Sequence, residues 1–331
     1  MKIIKKVFLT LLFPALMFVA MLIITSNDPD CYVNGKNVFL NTDIIRFVIQ
    51  NACQSVCVAL AIWMQLKNGR FDFSNGASMI LAAIIAGHVG TMANSPIVAF
   101  LVAVACGIVL CGVTSVVYMV GRLPIVIATI GCTLLYESLT YLVFGGGGII
   151  TFYQNTSLSV FGHLPGVLLP TALAMILFIV FNEMTVSGRK GKILSNNQSA
   201  GVNIGIYEQE NVSRTYLFSG IIVGLAAIIY VSQNPVYPQS ALSTSGIMFS
   251  YIVPVYMGMF IGLASNNVIG IAIAAIGMQI LNYGLNCMNL GAGGWQQIIM
   301  GVFVMCFYTL SAQLDNIKAL CRKLFKKEAL A

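Results

Sequence analysis

Residues 96–120 read PIVAFLVAVACGIVLCGVTSVVYMV, a run of 25 residues without one ionisable carboxylate, lysine, arginine or histidine. As an α-helix, at ~1.5 Å per residue, such a run exceeds the ~30 Å hydrocarbon core of a bilayer. In lipid every backbone N–H and C=O must be satisfied internally, so only helices or a closed barrel can span. A barrel strand would alternate apolar and polar residues over about 10 positions. Residues 96–120 do not alternate, so the run reads as a transmembrane helix.

Working outward, the same pattern recurs. Hydrophobic residues make up 58% of the 331-residue chain and charged residues 8%, against about 25% charged in a soluble domain. So few charges cannot cover a water-facing surface. Ten apolar runs predict an all-α polytopic membrane protein with spans near 7–25, 44–66, 73–90, 96–120 and 124–144, then 164–182, 214–232, 247–263, 268–288 and 295–313. Five plus five spans suit an inverted pseudo-repeat. The whole of 1–331 reads as one transmembrane domain, with an inner loop at 183–213 and a basic tail at 314–331.

Basic residues fix the orientation, because Lys and Arg stay on the cytoplasmic side during insertion. With the N-terminus inside, 15 of the 17 basic residues fall on inner segments; only Lys36 and Arg46 fall outside. Both termini are then cytoplasmic. The net charge of +7 follows from this topology and calls for no nucleic-acid partner. The first apolar run, after Lys2, Lys5 and Lys6, is long for a signal peptide and no A-x-A site follows it, so it reads as an uncleaved span.

Several chemistries find no support. No G-x-x-x-x-G-K-[ST] loop occurs, so P-loop ATP hydrolysis is excluded. Gly145-Gly146-Gly147-Gly148 has no Lys-Ser/Thr after it and reads as a turn. His88 and His163 have no ligand at metal spacing, and no cofactor is implied. Cys53, Cys57, Cys106, Cys111, Cys132, Cys287 and Cys306 lie in apolar runs as small packing residues, while Cys31 sits in an outer loop.

The polar residues left inside spans are the candidates for function. Glu137 is the one carboxylate well within a span; it is either a functional group or a carboxylate paired inside the bundle. Phe71-Asp72-Phe73-Ser74-Asn75-Gly76 opens a span whose strongly apolar part, 77–87, is short. It reads as a broken helix lining a solute path, or as a loop ending in an Asp or Ser cap. Pro254, followed by Gly258 and Gly262, predicts a kinked, closely packed eighth span. Gln279, Asn282, Asn286 and Asn289 fall on one helical stripe; such amides bond either a sugar-like solute or neighbouring helices. The loop 183–213 is basic, then Asn-rich, then acidic, and long for a helix connection; it is either a docking site for a cytoplasmic partner or a solvated linker.

From about residue 40 to 316 the chain resembles the ribose-type permeases of bacterial ATP-binding-cassette importers, a family that carries sugars and nucleosides. Asp72, Ser74 and Gly76 match its G-x-D-L-S-V-G segment. Gly121-Arg122-Leu123-Pro124 and the following Ile125–Gly131 are similar to its P-x-F-I-x-T-L-G helix start. Gly188, Arg189, Asn197, Ala200 and Gly205-Ile206 keep the spacing of its cytoplasmic loop, and Asn282, Gly284, Leu285, Asn286 and Gln297 resemble its N-x-G-L-N and Gln elements. The chain departs from the family at Gly262–Asn267, which is less glycine-rich, at Glu137, where Arg is common, and at Gln198, where an acid is usual.

The resemblance implies a permease without an ATPase site of its own. It would work beside a second copy or a paralogue, two cytoplasmic ATPase subunits and an external solute-binding protein. Asp72, Ser74, Asn75, Gly76, Glu137, Gln279, Asn282 and Asn286 would shape the path. Gly188, Arg189, Asn197, Ala200 and Gly205 would couple it to the ATPases. A monosaccharide is the first expectation for the cargo and a nucleoside the second. An ATPase-independent carrier and an intramembrane enzyme are the rival classes.

Overall fold

The structure, a computed structural model, describes residues 2–33, 36–196, 198–262 and 265–291, with scattered positions from 294 to 309. Most of the expected tenth span, the tail 314–331, Asn197 and Gln297 lie outside the described residues.

Helices dominate, as the apolar runs require. Helix α1 (Lys2–Thr25) leads to a small hairpin of β1 (Tyr32–Val33) and β2 (Lys36–Asn37). Then come α2 (Thr42–Leu66), α3 (Ser74–Met92), α4 (Pro96–Gly121), α5 (Ile125–Leu142) and a single turn α6 (Thr151–Gln154). The second half holds α7 (Leu168–Ile179), α8 (Val186–Asn196), α9 (Gln198–Asn203), α10 (Glu208–Gln233), α11 (Ser243–Gly262) and α12 (Asn267–Cys287). Local chemistry marks the ends. Asn41 and Asn266 cap α2 and α12 through bonds from the Asp43 and Val268 amides, and Pro96 occupies the first turn of α4, where its missing N–H costs nothing.

Seven of these helices are long and apolar enough to cross a membrane among the described residues: α2, α3, α4, α5, α10, α11 and α12. An eighth crossing is made if the bent pair Leu168–Met184 and Val186–Leu194 counts as one span. The protein is therefore a polytopic α-helical membrane protein. In α1 the apolar stretch is the shorter Thr10–Thr25.

Three expectations change. The third span is not broken: α3 runs without interruption for 19 residues from Ser74 to Met92, and the irregular backbone lies before it, at 67–73. The sixth span starts later and ends in a wide π turn at Val180–Met184, where the chain bends by 73° into α8. The stretch 183–213 is mostly helix, in α8, α9 and the first turn of α10.

The centre of the bundle is α2, α3 and α10, whose spanning windows are 72–78% buried, whereas α4 and α5 are 33% and 39% buried and face outward. Lipid gives helices little hydrophobic reason to associate, so close backbone contact through small residues carries the packing. Helix α10 meets α4 at Gly107, Gly220 and Gly224: a side chain at Gly107 would overlap Gly220 O, and one at Gly224 would lie 2.5 Å from Val104 Cα. Helices α11 and α12 meet in the same way, Gly258 lying against Ile271 and Gly270 against Gly262.

Candidate functional site

An amide-lined cleft opens between α2, α10, α11 and α12, with a volume of about 310 Å³. Asn51 and Gln54 enter it from α2, Tyr230 and Asn234 from α10 and its end, Ile247, Ser250 and Tyr251 from α11, and Gln279, Asn282 and Asn286 from α12, with Phe47 on the rim. No charged side chain lines it among the described residues. Gln54 Nε2 donates to Tyr251 Oη at 2.7 Å, Asn234 Nδ2 to Gln54 Oε1 at 3.4 Å, and Gln279 Nε2 to Ser55 Oγ at 2.6 Å. These bonds fix the rotamers. Each amide has two donors and an acceptor oxygen with two lone pairs, so capacity remains for a hydroxylated ligand.

The structure places the expected path residues in two separate groups. Gln279, Asn282 and Asn286 share the cleft; Asp72, Ser74, Asn75, Gly76 and Glu137 do not line it. Asp72 is buried two residues before α3, with Oδ1 accepting from Ser74 N at 2.8 Å and Ser74 Oγ at 2.7 Å. Burial pushes its carboxyl pKa up, opposed by the Ser74 bonds, the Tyr216 hydroxyl and the Arg70 guanidinium. Asn75 is buried with neither amide atom hydrogen-bonded among the described residues. Gly76 is packed so closely on α11 that a side chain would lie 2.7 Å from Thr244 O.

Glu137 is buried on α5, and its carboxylate holds the start of α11. Oε1 accepts from Thr244 N at 2.9 Å and Thr244 Oγ1 at 2.6 Å, and Oε2 accepts from Leu242 N at 2.8 Å. One turn further on, Thr140 Oγ1 accepts from Gln239 N at 2.9 Å. The segment leaving α10 is thus tied to α5 before α11 begins, and a carboxylate faces the positive end of that helix. Glu137 reaches the cleft only through α11, which carries Ile247, Ser250 and Tyr251.

The residues expected to couple the chain to its ATPases begin at the 73° bend and run on through α8 and α9. Thr185 Oγ1 caps α8 by accepting from Gly188 N at 3.0 Å. A side chain at Gly188 would collide with Phe181 O, so the bend closes only over glycine. Arg189, next on α8, is exposed. Ala200 lies in α9. Gly205, at φ +81°, ends that segment while Ile206 N bonds Gly201 O at 3.1 Å, the left-handed helix stop that favours glycine. Helix α8 is fastened to the bundle by Arg214 Nη1 on Ser187 Oγ at 3.3 Å and by Gly191 packed on Asn68.

Asn51, Gln54, Asn234 and Tyr251 were not among the residues the sequence singled out. A signal existed for two of them: Asn51 and Gln54 stand three apart inside an apolar run, on one face of a helix.

A multi-pass helical bundle with an amide-lined cleft, uncharged among the described residues, and a bend closed over glycine has the build of a membrane transport protein. Residues 45–308 match the family described as branched-chain amino acid transport system / permease component. The chain belongs to that family and is a transport-system permease of the bacterial inner membrane. It is 27% identical over 271 residues to the autoinducer 2 import system permease protein LsrD of Photorhabdus temperata, covering 76% of this chain and 78% of that protein. It is 23% identical over 282 residues to the autoinducer 2 import system permease protein LsrC of Enterobacter sp. (strain 638), covering 83% and 81%. No solved structure matches the chain.

Proposed function

We propose that this permease is the membrane-spanning subunit of an ATP-binding-cassette importer and carries a small, uncharged, polyhydroxylated solute of monosaccharide size. The observation that carries the reading is the cleft. Six amides, a serine and tyrosines line it and, among the described residues, no charge does; such a surface exchanges hydrogen bonds with hydroxyl groups and gives an ionised substrate no counter-charge. The two relatives are permeases of autoinducer 2 import systems, which supports import of a small polar cargo.

The full architecture is ten spans, the first in α1 and the tenth in 295–313, arranged as an inverted five-plus-five repeat with both termini in the cytoplasm. The charge distribution supports this orientation, and it puts the cleft in the outer half of the bundle. Two permeases, this chain with a second copy or a paralogue, form the pathway between them. Cytoplasmic ATPase subunits dock on α8 and α9, where Arg189 is exposed, and an external solute-binding protein delivers the cargo. The chain has no ATPase site of its own. Asp72 and Ser74 set the start of α3, Gly76 packs it on α11 and Glu137 sets where α11 begins, so these residues shape the path through helix placement while Gln279, Asn282 and Asn286 meet the solute.

The test is uptake by cells deleted for this chain and supplied with it on a plasmid. Labelled pentoses, hexoses and nucleosides are offered with and without the ATPase subunit that co-purifies with the tagged permease. Uptake of a neutral sugar that needs that subunit supports the proposal. Sugar uptake in proteoliposomes holding the purified chain alone, without ATP, would refute it.

A further inference from the structure

A second cavity, of about 120 Å³, lies at the opposite end of α2 from the hairpin. Lys67, Asn182, Glu183, Lys192 and Asn267 line its polar side. Lys67 follows directly on α2 and is half-buried; its Nζ donates to Asn182 Oδ1 at 2.7 Å, a neutral partner. The carboxylate of Glu183 is engaged by Lys192 Nζ at 2.9 and 3.1 Å. Two ammonium groups and one carboxylate therefore line the cavity: Glu183 and Lys192 pair on its exposed side, and the half-buried Lys67 is held by a neutral amide oxygen. Burial and the Lys192 charge lower the Lys67 pKa to about 8, against the opposing pull of Glu183. The start of α12, capped by Asn266, adds the positive end of a helix dipole.

The other side of the cavity is apolar: Trp63, Phe178, Ile179 and Val268. Ile179 continues an exposed stripe on α7 with Leu169, Leu173 and Ile176. At spacings of three and four these residues form one face, and on a spanning helix such a face meets acyl chains. A cationic pocket joined to a lipid-facing stripe matches an anionic headgroup and its tail.

The geometry points to a specific site for the phosphodiester headgroup of an anionic glycerophospholipid, held by Lys67 and Lys192 with its chain along α7.

The full-length protein in detergent is titrated with phosphatidylglycerol and with phosphatidylcholine of the same chains, and adducts are read by native mass spectrometry. The expected result is at least a fivefold preference for phosphatidylglycerol that disappears in the double variant K67A/K192A. K67R keeps the preference, as does K190A, which removes a half-exposed lysine outside the cavity, paired 3.9 Å from Glu210. Thermal unfolding of each variant identifies any that have lost the fold, and for those K67R carries the comparison. Equal binding of the two lipids by the wild-type protein would overturn the assignment. So would a preference that survives in folded K67A/K192A, or protection by inorganic phosphate alone with no phosphatidylglycerol adduct.

Discussion

Glu137 on α5 and Thr244 on α11 are 107 residues apart in sequence and joined by two hydrogen bonds, from the Thr244 amide at 2.9 Å and its hydroxyl at 2.6 Å. With the Leu242 amide at 2.8 Å on the other oxygen, the carboxylate accepts from three donors and donates to none. Glutamine cannot replace it, because one terminus becomes an NH₂ facing an N–H. E137Q should therefore cost about 1–3 kcal/mol, the range for leaving a buried donor without its acceptor. It should lower the unfolding temperature by a few degrees and reduce uptake by displacing α11. T244V, which keeps the amide bond and loses only the hydroxyl, should fall between wild type and E137Q in both assays. An E137Q protein with wild-type stability and uptake would remove Glu137 from the helix-placing role.

The cleft makes a separate prediction. Asn282→Leu and Gln279→Leu keep approximate size while deleting polar groups that face the cavity. Losing one or two solute hydrogen bonds costs roughly 1.4 kcal/mol or more, about tenfold in apparent affinity. Each variant should raise the half-saturating sugar concentration for uptake by about that factor, with unchanged membrane abundance. S138A, on the exposed face of the same α5 that carries Glu137, should leave uptake unaltered. Wild-type uptake kinetics in both leucine variants would place the solute elsewhere.

The legible part of the fold was the part that depends on composition and length. An uncharged run such as 96–120 has one low-energy state in a bilayer, so α4 follows from sequence to within a residue. The end of α7 was not legible, because nothing in Val180–Met184 breaks a helix; the bend depends on Thr185, Gly188 and the backbone of Phe181 meeting in space. The same holds for the site. The stripe of Gln279, Asn282 and Asn286 was visible as periodicity, while Asn234 and Tyr251 join it only through tertiary packing. For Glu137 and Asp72 the residue types drew attention, but their partners, a distant helix start and the next helix's own first turn, depend on the fold.

Gly188 permits a direct test of the bend. A methyl group there would overlap Phe181 O and crowd Asn182, so G188A must open the turn at the overpacking cost of about 1–3 kcal/mol. Because α8 is capped through this same turn, the variant should misplace the exposed Arg189. In the importer proposed above, reconstituted with an ATPase subunit, G188A should cut uptake on the order of tenfold, the low end of that cost, while ATP hydrolysis by that subunit continues. A G188A complex that transports normally would show that the bend does not transmit the ATPase movement.

Lys67 gives two pH effects of opposite sign. Its ammonium titrates near pH 8 in the lipid-free protein, lowered from the ordinary 10.5 by burial and by Lys192. The other groups facing it are Glu183, which pairs with Lys192, and the neutral Trp63, Asn182, Asn266 and Asn267. The folded state loses its proton at lower pH than the unfolded chain, so between about pH 8 and 10.5 the unfolded chain binds more protons and stability rises with pH. Below pH 8 the cost of burying the charge is present in full. K67M, which has no charge to bury, should unfold at higher temperature than the lipid-free wild type at pH 7, and the gap should narrow as pH rises from 8. Phosphatidylglycerol binding should do the reverse, strong while Lys67 is charged and weakening as pH rises above 8, because the phosphodiester stays ionised throughout. Native mass spectra and unfolding curves at pH 7, 8 and 9.5 measure both. A lipid preference that does not change across this range would separate Lys67 from the headgroup and leave Lys192 as its anchor.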